Sequence, residues 1–359
     1  MQRLRLYILL LLVLLVGLVT FSQEPPSLIP YREGKKWGFC DKNKNIIIPL
    51  LYDDAAAFNN GLAPVCLNDK YGFVDEKGNL VIPFKYDYAY SFIDGLAKVR
   101  MDSKRGFIYH TESKFGFIDQ TGQEVIPIQY SSALNFNEGL SLVKQDSIWG
   151  YISKEGFDDR LFIYSEGINK STKRINPNLN KQINQYEKIG NFYEGVAWVV
   201  KKNKYGFIDE TGKEFITTSY DRAYIFAEGL ASVKKGNKWG YINKSNTLKI
   251  NYKYDWALPF SEGLASVKIK EKWGYIDKSG KLVIEAKYNS AWRFSEGLAA
   301  ASFKGRWGFI DKKGDFVIGP KYMKVYPFIN GLGAATVDEE GPTRQWFYID
   351  RYGNEYYKP

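Results

Sequence analysis

Between Gly263 and Gly297 the chain alternates apolar and polar side chains in short bursts separated by turn residues. Leu264-Ala265-Ser266-Val267-Lys268 has the period-two pattern of a half-buried strand. A polar turn near Lys270-Glu271 leads into Lys272-Trp273-Gly274-Tyr275-Ile276, with aromatics on one face and Gly plus Ile on the other. Neither face is polar, which predicts a strand inside the sheet. Asp277-Lys278-Ser279-Gly280 reads as a type I turn, in which Asp caps backbone amides and Gly accepts a positive φ. Lys281-Leu282-Val283-Ile284 is the third strand. In other copies Pro49, Pro83 and Pro127 stand at its end, where no ladder bond is lost. The segment Tyr288–Phe294, with Tyr288, Trp292 and Phe294 as its aromatics, returns the chain to the next Gly. Each unit is thus predicted to be a three-stranded antiparallel meander with an irregular return.

The unit recurs. An aromatic-Gly pair stands at Trp37-Gly38, Tyr71-Gly72, Phe115-Gly116, Trp149-Gly150, Tyr205-Gly206, Trp239-Gly240, Trp273-Gly274 and Trp307-Gly308. Most neighbours are 34 residues apart, and a second glycine follows 23 residues after seven of the eight, at Gly61, Gly95, Gly139, Gly229, Gly263, Gly297 and Gly331. A fixed period means stacked units that bury their apolar faces on one another. Helical arrays share this period, but alternation by two and a glycine turn inside every candidate helix exclude them. The expected fold is all-β: tandem 34-residue repeats stacked as an elongated twisted solenoid, with a closed propeller-like ring as the alternative.

The period slips in places. Ten extra residues between Gly72 and Gly116 suggest an extra hairpin over about 100–113, its turn near His110-Thr111-Glu112-Ser113. Twenty-two extra residues fall within 156–187, an Asn-, Lys- and Ser-rich stretch read as an inserted loop or distorted repeat. The expected division is a signal peptide at 1–22, a linker and cap at 23–33, and repeats 1–4 over 34–155. The insertion at 156–187, the end of repeat 4 with repeats 5–8 over 188–337, and a partial terminal repeat and cap at 338–359 complete it.

Residues 1–22 carry Arg3 and Arg5 before an apolar run from Leu6 to Phe21, and Thr20-Phe21-Ser22 offers a cleavage site. This predicts export, to the periplasm, outer surface or medium, with no membrane span after cleavage. Without those two arginines, 48 Lys plus Arg face 40 Asp plus Glu, a net charge of +8. The bases are mixed with acids along the repeats, so no clustered stripe for nucleic acid is visible. Cys40 stands where other repeats carry Ile118, Ile208 and Ile276, whereas Cys66 aligns with Lys98, Lys144 and Lys268, where a side chain faces water. Opposite environments predict two free thiols.

The run Lys272–Ile284, followed by Phe294-Ser295-Glu296-Gly297-Leu298-Ala299, closely resembles the bacterial WG (or KWG) repeat. The resemblance extends over the chain after the leader in eight copies plus a partial ninth. It implies an exported repeat protein with no general enzymatic activity or ligand. A weaker likeness joins the units to the aromatic β-hairpin repeats of cell-wall-binding modules. Tyr71, Phe115 and Tyr205 at the Trp position, and Ser153 and Asn243 at the turn Asp, depart from the pattern.

Chemistry for catalysis is sparse. His110 is the single histidine and two cysteines make no zinc pattern, so no catalytic, metal or cofactor residue is assigned. The turn aspartates Asp41, Asp75, Asp119, Asp209, Asp277, Asp311 and Asp350 recur once per repeat, as do Glu138, Glu194, Glu228, Glu262 and Glu296. Recurrence of that kind is structural, since a catalytic residue is needed once. The Trp of Trp-Gly and the Phe of Phe-x-x-Gly are assigned to core packing. The position two before that Phe varies through Ala56, Tyr90, Leu134, Tyr224, Leu258, Trp292 and Tyr326. With Tyr88 and Trp256, the aromatics Tyr90, Tyr224, Trp292 and Tyr326 make a candidate ligand ladder of flat rings with polar tips. The expected role is a non-enzymatic module of the cell envelope binding a protein partner. Binding of an anionic envelope glycan is the alternative, and an enzyme site in 156–187 the least supported. The sequence leaves the ligand and the oligomeric state open.

Overall fold

The computed structural model describes residues 24–105, 110–145, 148–154, 179, 182–337 and 346–359. The signal peptide expected at 1–22 and most of the insertion at 156–187 lie outside them. Strands run throughout, grouped into small antiparallel sheets that follow one another along the chain.

The sheet of Asp54–Tyr86 shows the unit. A short first strand, Asp54–Ala55, pairs with a second, Leu62–Leu67. That pairs with the aromatic-glycine strand Lys70–Asp75, which pairs with the outer strand Leu80–Tyr86. The expected three-stranded meander is therefore corrected to four strands. The return contributes two ladder residues, too few to leave a period-two trace in sequence. Five further four-strand sheets repeat the order; the sheet of Ser132–Ser153 has three described strands.

Glycine in the aromatic-glycine strand has a steric cause. The outer strand carries a bulge opposite it, with register shifts such as Trp273/Tyr275. A Cβ on Gly274 would stand 2.5 Å from the Ile284 carbonyl oxygen and 2.8 Å from the Ala286 nitrogen. Both faces of this strand are covered, as its lack of polar positions predicts: Phe73, Tyr275 and Phe309 are fully buried. Each such aromatic meets the Phe of Phe-x-x-Gly of the following segment, with ring centroids 4.7–5.0 Å apart from Phe39–Phe58 to Phe309–Phe328. Core clusters accordingly bridge successive sheets, as where Tyr275 and Ile284 pack on Phe294 and Ile310.

The recurring acids do structural work. Asp277 Oδ1 accepts the amides of Ser279 and Lys281, and the same bonds recur at Asp41, Asp75, Asp119, Asp209, Asp311 and Asp350. The glutamates stitch repeats together. Glu194, Glu228, Glu262 and Glu296 accept the amides of Gly229, Gly263, Gly297 and Gly331, one repeat on, at 2.9–3.2 Å. Lys278 and Lys312 reach Glu228 and Glu262 at 2.9 and 3.2 Å. Each Glu also holds a positive φ, 55° at Glu262, in a two-residue turn with the following Gly. That conformation costs a non-glycine residue about 1 kcal/mol, offset by the carboxylate's bonds. Glu262→Ala keeps the strain and loses the bonds, so urea unfolding will show a loss of about 1 kcal/mol, with Glu262→Gln recovering part of it.

Burial opposes ionisation of Glu228, but Lys278 and the Gly263 amide outweigh it and hold its carboxyl below the ordinary value. Asp53, Asp221 and Asp255 are likewise lowered, first by Lys36, Lys204 and Lys238. A depressed carboxyl stabilises the fold above its unfolded value and ceases to do so as pH falls through the folded one. Melting temperature is thus expected to be flat from about pH 7 to 5 and to fall below about pH 4.

The irregular regions depart from expectation. Between Gly72 and Gly116 the described extra residues lengthen one antiparallel pair, Ala97–Arg105 with His110–Ile118. Residues 110–113, expected as a hairpin turn, pair with Asp102–Arg105 inside the ladder. The end of the insertion is not a loose loop. Leu179 and Ile183 are 1% exposed and pack with Leu142, Tyr151 and Phe192. Leu179 lies against Gly212, the place that outer-strand Ile48, Ile82, Ile250 and Ile284 occupy against Gly78, Gly122, Gly280 and Gly314. It replaces the isoleucine of the preceding outer strand.

The ends are joined. Within the expected N-terminal linker and cap, Ile29–Glu33 is a strand, and within the expected terminal repeat and cap so is Glu355–Lys358. They pair in parallel, Arg32 with Tyr357 and Glu33 with Lys358. One seven-stranded sheet thereby contains both ends. The cause is Phe347, which occupies the aromatic-glycine position: it pairs with Ala335 as Gly308 pairs with Ala301. Its ring stacks on Tyr357, with centroids 4.0 Å apart. The terminal strand crosses it without a bulge and runs on to the first repeat, which lacks a first strand of its own.

Candidate basic-aromatic row

Cross-strand pairing gathers side chains that are dispersed in sequence. The opening residue of each short first strand faces a partner about twelve residues later: Asp54–Cys66, Tyr88–Arg100, Ser132–Lys144, Lys188–Val200, Arg222–Lys234, Trp256–Lys268, Ser290–Ser302 and Lys324–Thr336. Partners in an antiparallel pair share a face. These sixteen positions hold seven bases and one acid, Asp54. The aromatic of the aromatic-glycine pair continues the same row, as Lys144 faces Trp149, Lys234 faces Trp239 and Lys268 faces Trp273. The mixture of charges read along the chain is thus sorted by register into a predominantly basic row.

Cations sit over rings in this row: Arg100 over Tyr88 at 5.6 Å, Lys98 over Tyr90 at 4.1 Å, and Lys144 over Trp149 at 5.6 Å. Burial pulls the Lys98 ammonium below its ordinary pKa. Its Nζ donates to the Ala133 carbonyl at 3.1 Å.

The ladder residues all lie at this edge. Tyr90 meets Tyr88 at 4.8 Å, and Tyr88 meets Tyr71 at 4.8 Å. Tyr224 stacks on Trp239 at 5.3 Å, and Trp256 meets the same ring at 5.4 Å. Trp292 meets Trp307 at 5.6 Å and Tyr326 meets Trp346 at 4.8 Å. The ladder is therefore a set of clusters, each seated on an aromatic-glycine ring. Trp256 and Tyr326 are 42% and 54% exposed; Tyr88, Tyr90, Tyr224 and Trp292 are half-buried. Assignment of the aromatic-glycine rings to the core holds for Trp37 and Trp239, while Trp149, Trp273 and Trp307 are half-buried in the row.

One ring was missed. Trp198 lies against Gly190, the residue two before Phe192, so the glycine leaves the ladder space that an indole from the next strand fills. Its ring faces Tyr205 at 5.7 Å. The signal was an isolated Trp where other repeats carry Pro64, Lys98, Ser232 and Ser266.

Cys40 and Cys66 are free, but Cys66 is buried rather than water-facing. It stands opposite Asp54 and Tyr71, and its structural equivalent is Arg100 rather than Lys98. Burial pushes the thiols up to about 12 and about 11. Alkylation at neutral pH is expected to be slow in the native protein and fast in denaturant, as mass spectrometry will show. Among the described residues no group of three or more His, Cys, Asp or Glu is placed to hold a metal ion. Among them, too, no helix is long and apolar enough to cross a membrane.

In fold the chain is similar to a eukaryotic initiation factor, 11% identical over 92% of this chain and 94% of that one, with a TM-score of 0.57. Acylaminoacyl peptidase of Pyrococcus horikoshii aligns at 10% identity over 92% of this chain and 52% of that one, with a TM-score of 0.39. The chain spans about half the length of that peptidase. The initiation factor is a β-propeller protein, and the likeness to it concerns fold alone. No curated protein matches in sequence. The family model for the WG containing repeat matches residues 37–71, 71–104, 115–147, 183–205, 205–239, 239–273, 273–307 and 307–340. With these eight matches, the chain belongs to the WG-containing repeat family.

Proposed function

We propose that the repeats close into a ring whose basic-aromatic row binds an anionic glycan of the cell envelope. The ring takes precedence over the elongated solenoid for two reasons. The short first strand completes a four-strand unit, and the two ends pair through Arg32–Tyr357 and Glu33–Lys358. Export rests on the leader read in residues 1–22.

The observation that carries the glycan reading is the sorting of seven bases against one acid into a row that also holds the ring clusters. Aromatic faces suit the apolar face of a sugar ring, and lysines and arginines suit its acidic groups. Retention of the protein lacking residues 1–22 on polygalacturonate and on purified sacculi tests this. Binding should weaken as salt rises. A Lys234→Glu/Lys268→Glu variant should lose about tenfold in affinity, and Tyr90/Tyr224/Trp292/Tyr326→Ala should also weaken it. No retention on either material at physiological salt removes the reading.

A second reading, docking of an envelope protein, is favoured by the outer strands. Ile47, Leu80, Val81, Val283 and Val317 are exposed there, at 41–53%. These strands are sheet edges with free ladder groups.

A further inference from the structure

One part of the row breaks its own rule, and we propose that it is a subsite for a single uncharged pyranose ring, formed by Asp54, Tyr71, Tyr88, Tyr90, Arg100 and Asp102. This rests on the glycan reading above and adds that the ligand carries neutral sugars among its acidic ones. Elsewhere the row is basic. Here Arg100 and Lys98 are matched by Asp54 and Asp102, so two positive and two negative groups leave no net charge to attract an anion.

The geometry suits a polyol. Tyr71, Tyr88 and Tyr90 form a bent aromatic surface with successive centroids 4.8 Å apart and interplanar angles of 47° and 64°. Asp54 Oδ2 accepts the Tyr71 hydroxyl at 2.6 Å, which fixes the carboxylate beside the rings. Arg100 lies over Tyr88 and pairs with Asp102 at 3.1 Å. These two side chains are 32% and 22% exposed. Yet Arg100 Nε and Asp102 Oδ1 are buried without a hydrogen-bond partner. The first is a donor and the second an acceptor, and a sugar hydroxyl can both accept and donate. No other repeat carries Tyr-x-Tyr on its first strand with Lys-x-Arg on its second. A residue pattern used once marks a ligand-specific role where a recurring one marks packing.

Calorimetry of the full chain without residues 1–22 with cellotetraose, chitotetraose and mannotetraose tests the subsite, with polygalacturonate titrated in parallel. At least one neutral oligosaccharide should bind with an affinity insensitive to salt. Tyr88→Ala and Arg100→Ala should weaken it about tenfold, while Tyr352→Ala, at an exposed ring outside the row, leaves it unchanged and circular dichroism confirms folding of each variant. If none of the three binds, or if binding survives both substitutions, the subsite is overturned. In that event continued salt-sensitive binding of polygalacturonate leaves the glycan reading standing. Loss of polygalacturonate binding alone, with Tyr88-dependent neutral binding intact, would instead overturn the acidic-glycan reading.

Discussion

Gly274→Ala is expected to destabilise the protein by about 3 kcal/mol, the upper range for forced overpacking of a filled interior. The added methyl would overlap Ile284 O, Ala286 N and Ala286 Cα, at 2.5, 2.8 and 2.9 Å. All three are backbone atoms of the bulged outer strand, so no side-chain rotation relieves the overlap. A drop in melting temperature of about 4 °C would follow. Gly319→Ala is the matched comparison, because nothing lies within 4 Å of its added Cβ and its φ is ordinary. It should be neutral or slightly stabilising, through the reduced freedom of the unfolded chain. Equal effects of the two changes would show that close strand approach is not why Gly follows the aromatic.

The second large effect concerns the joined ends. Removal of residues 355–359 deletes Tyr356, which is fully buried, and the Tyr357 ring stacked on Phe347. It also removes the Lys358–Glu33 ion pair at 2.7 Å and the bond from the Gly34 amide to the Lys358 carbonyl at 3.1 Å. Loss of one fully buried aromatic alone costs about 3–5 kcal/mol. Hydrogen exchange should therefore quicken at Ile29–Glu33, more than 300 residues away in sequence, as much as at Phe347–Asp350. Faster exchange confined to the last repeat would mean that the pairing of the ends contributes little.

Much of this fold was legible because its local rules repeat. The Asp-x-x-Gly turns, the alternation of Leu264–Lys268 and the glycine after each aromatic each report a nearby backbone requirement. What escaped notice depended on long-range pairing. Asp54 and Ala55 form a strand only because Val65 and Cys66 lie opposite, and two residues carry no periodicity. The basic row was invisible for the same reason: Arg222 and Lys234 are separated in sequence by polar and apolar residues and become neighbours only through the ladder. Cys66 does stand at the place of Lys144 and Lys268, with Lys98 alone two residues out of register, yet its side chain is buried opposite Asp54 and Tyr71. Leu179 was hidden because it fills an isoleucine's place from an unrelated stretch of chain. The ladder aromatics were found, since large rings at a recurring position are visible in sequence. Their grouping into clusters on the aromatic-glycine rings was not, and neither were the orphan polar atoms at Arg100 and Asp102.

The proposed closure of the repeats can be measured in solution. Small-angle scattering of the chain from residue 23 onward should give a radius of gyration of about 20 Å if the array is closed and compact. With the pairing of the ends undone the eight sheets would become nine, and an open stack of them spaced about 10 Å apart would form a body about 90 Å long, with a radius of gyration of at least about 26 Å. The smaller value, together with a pair-distance distribution showing a single compact maximum, is the expected result. An elongated profile would contradict the ring.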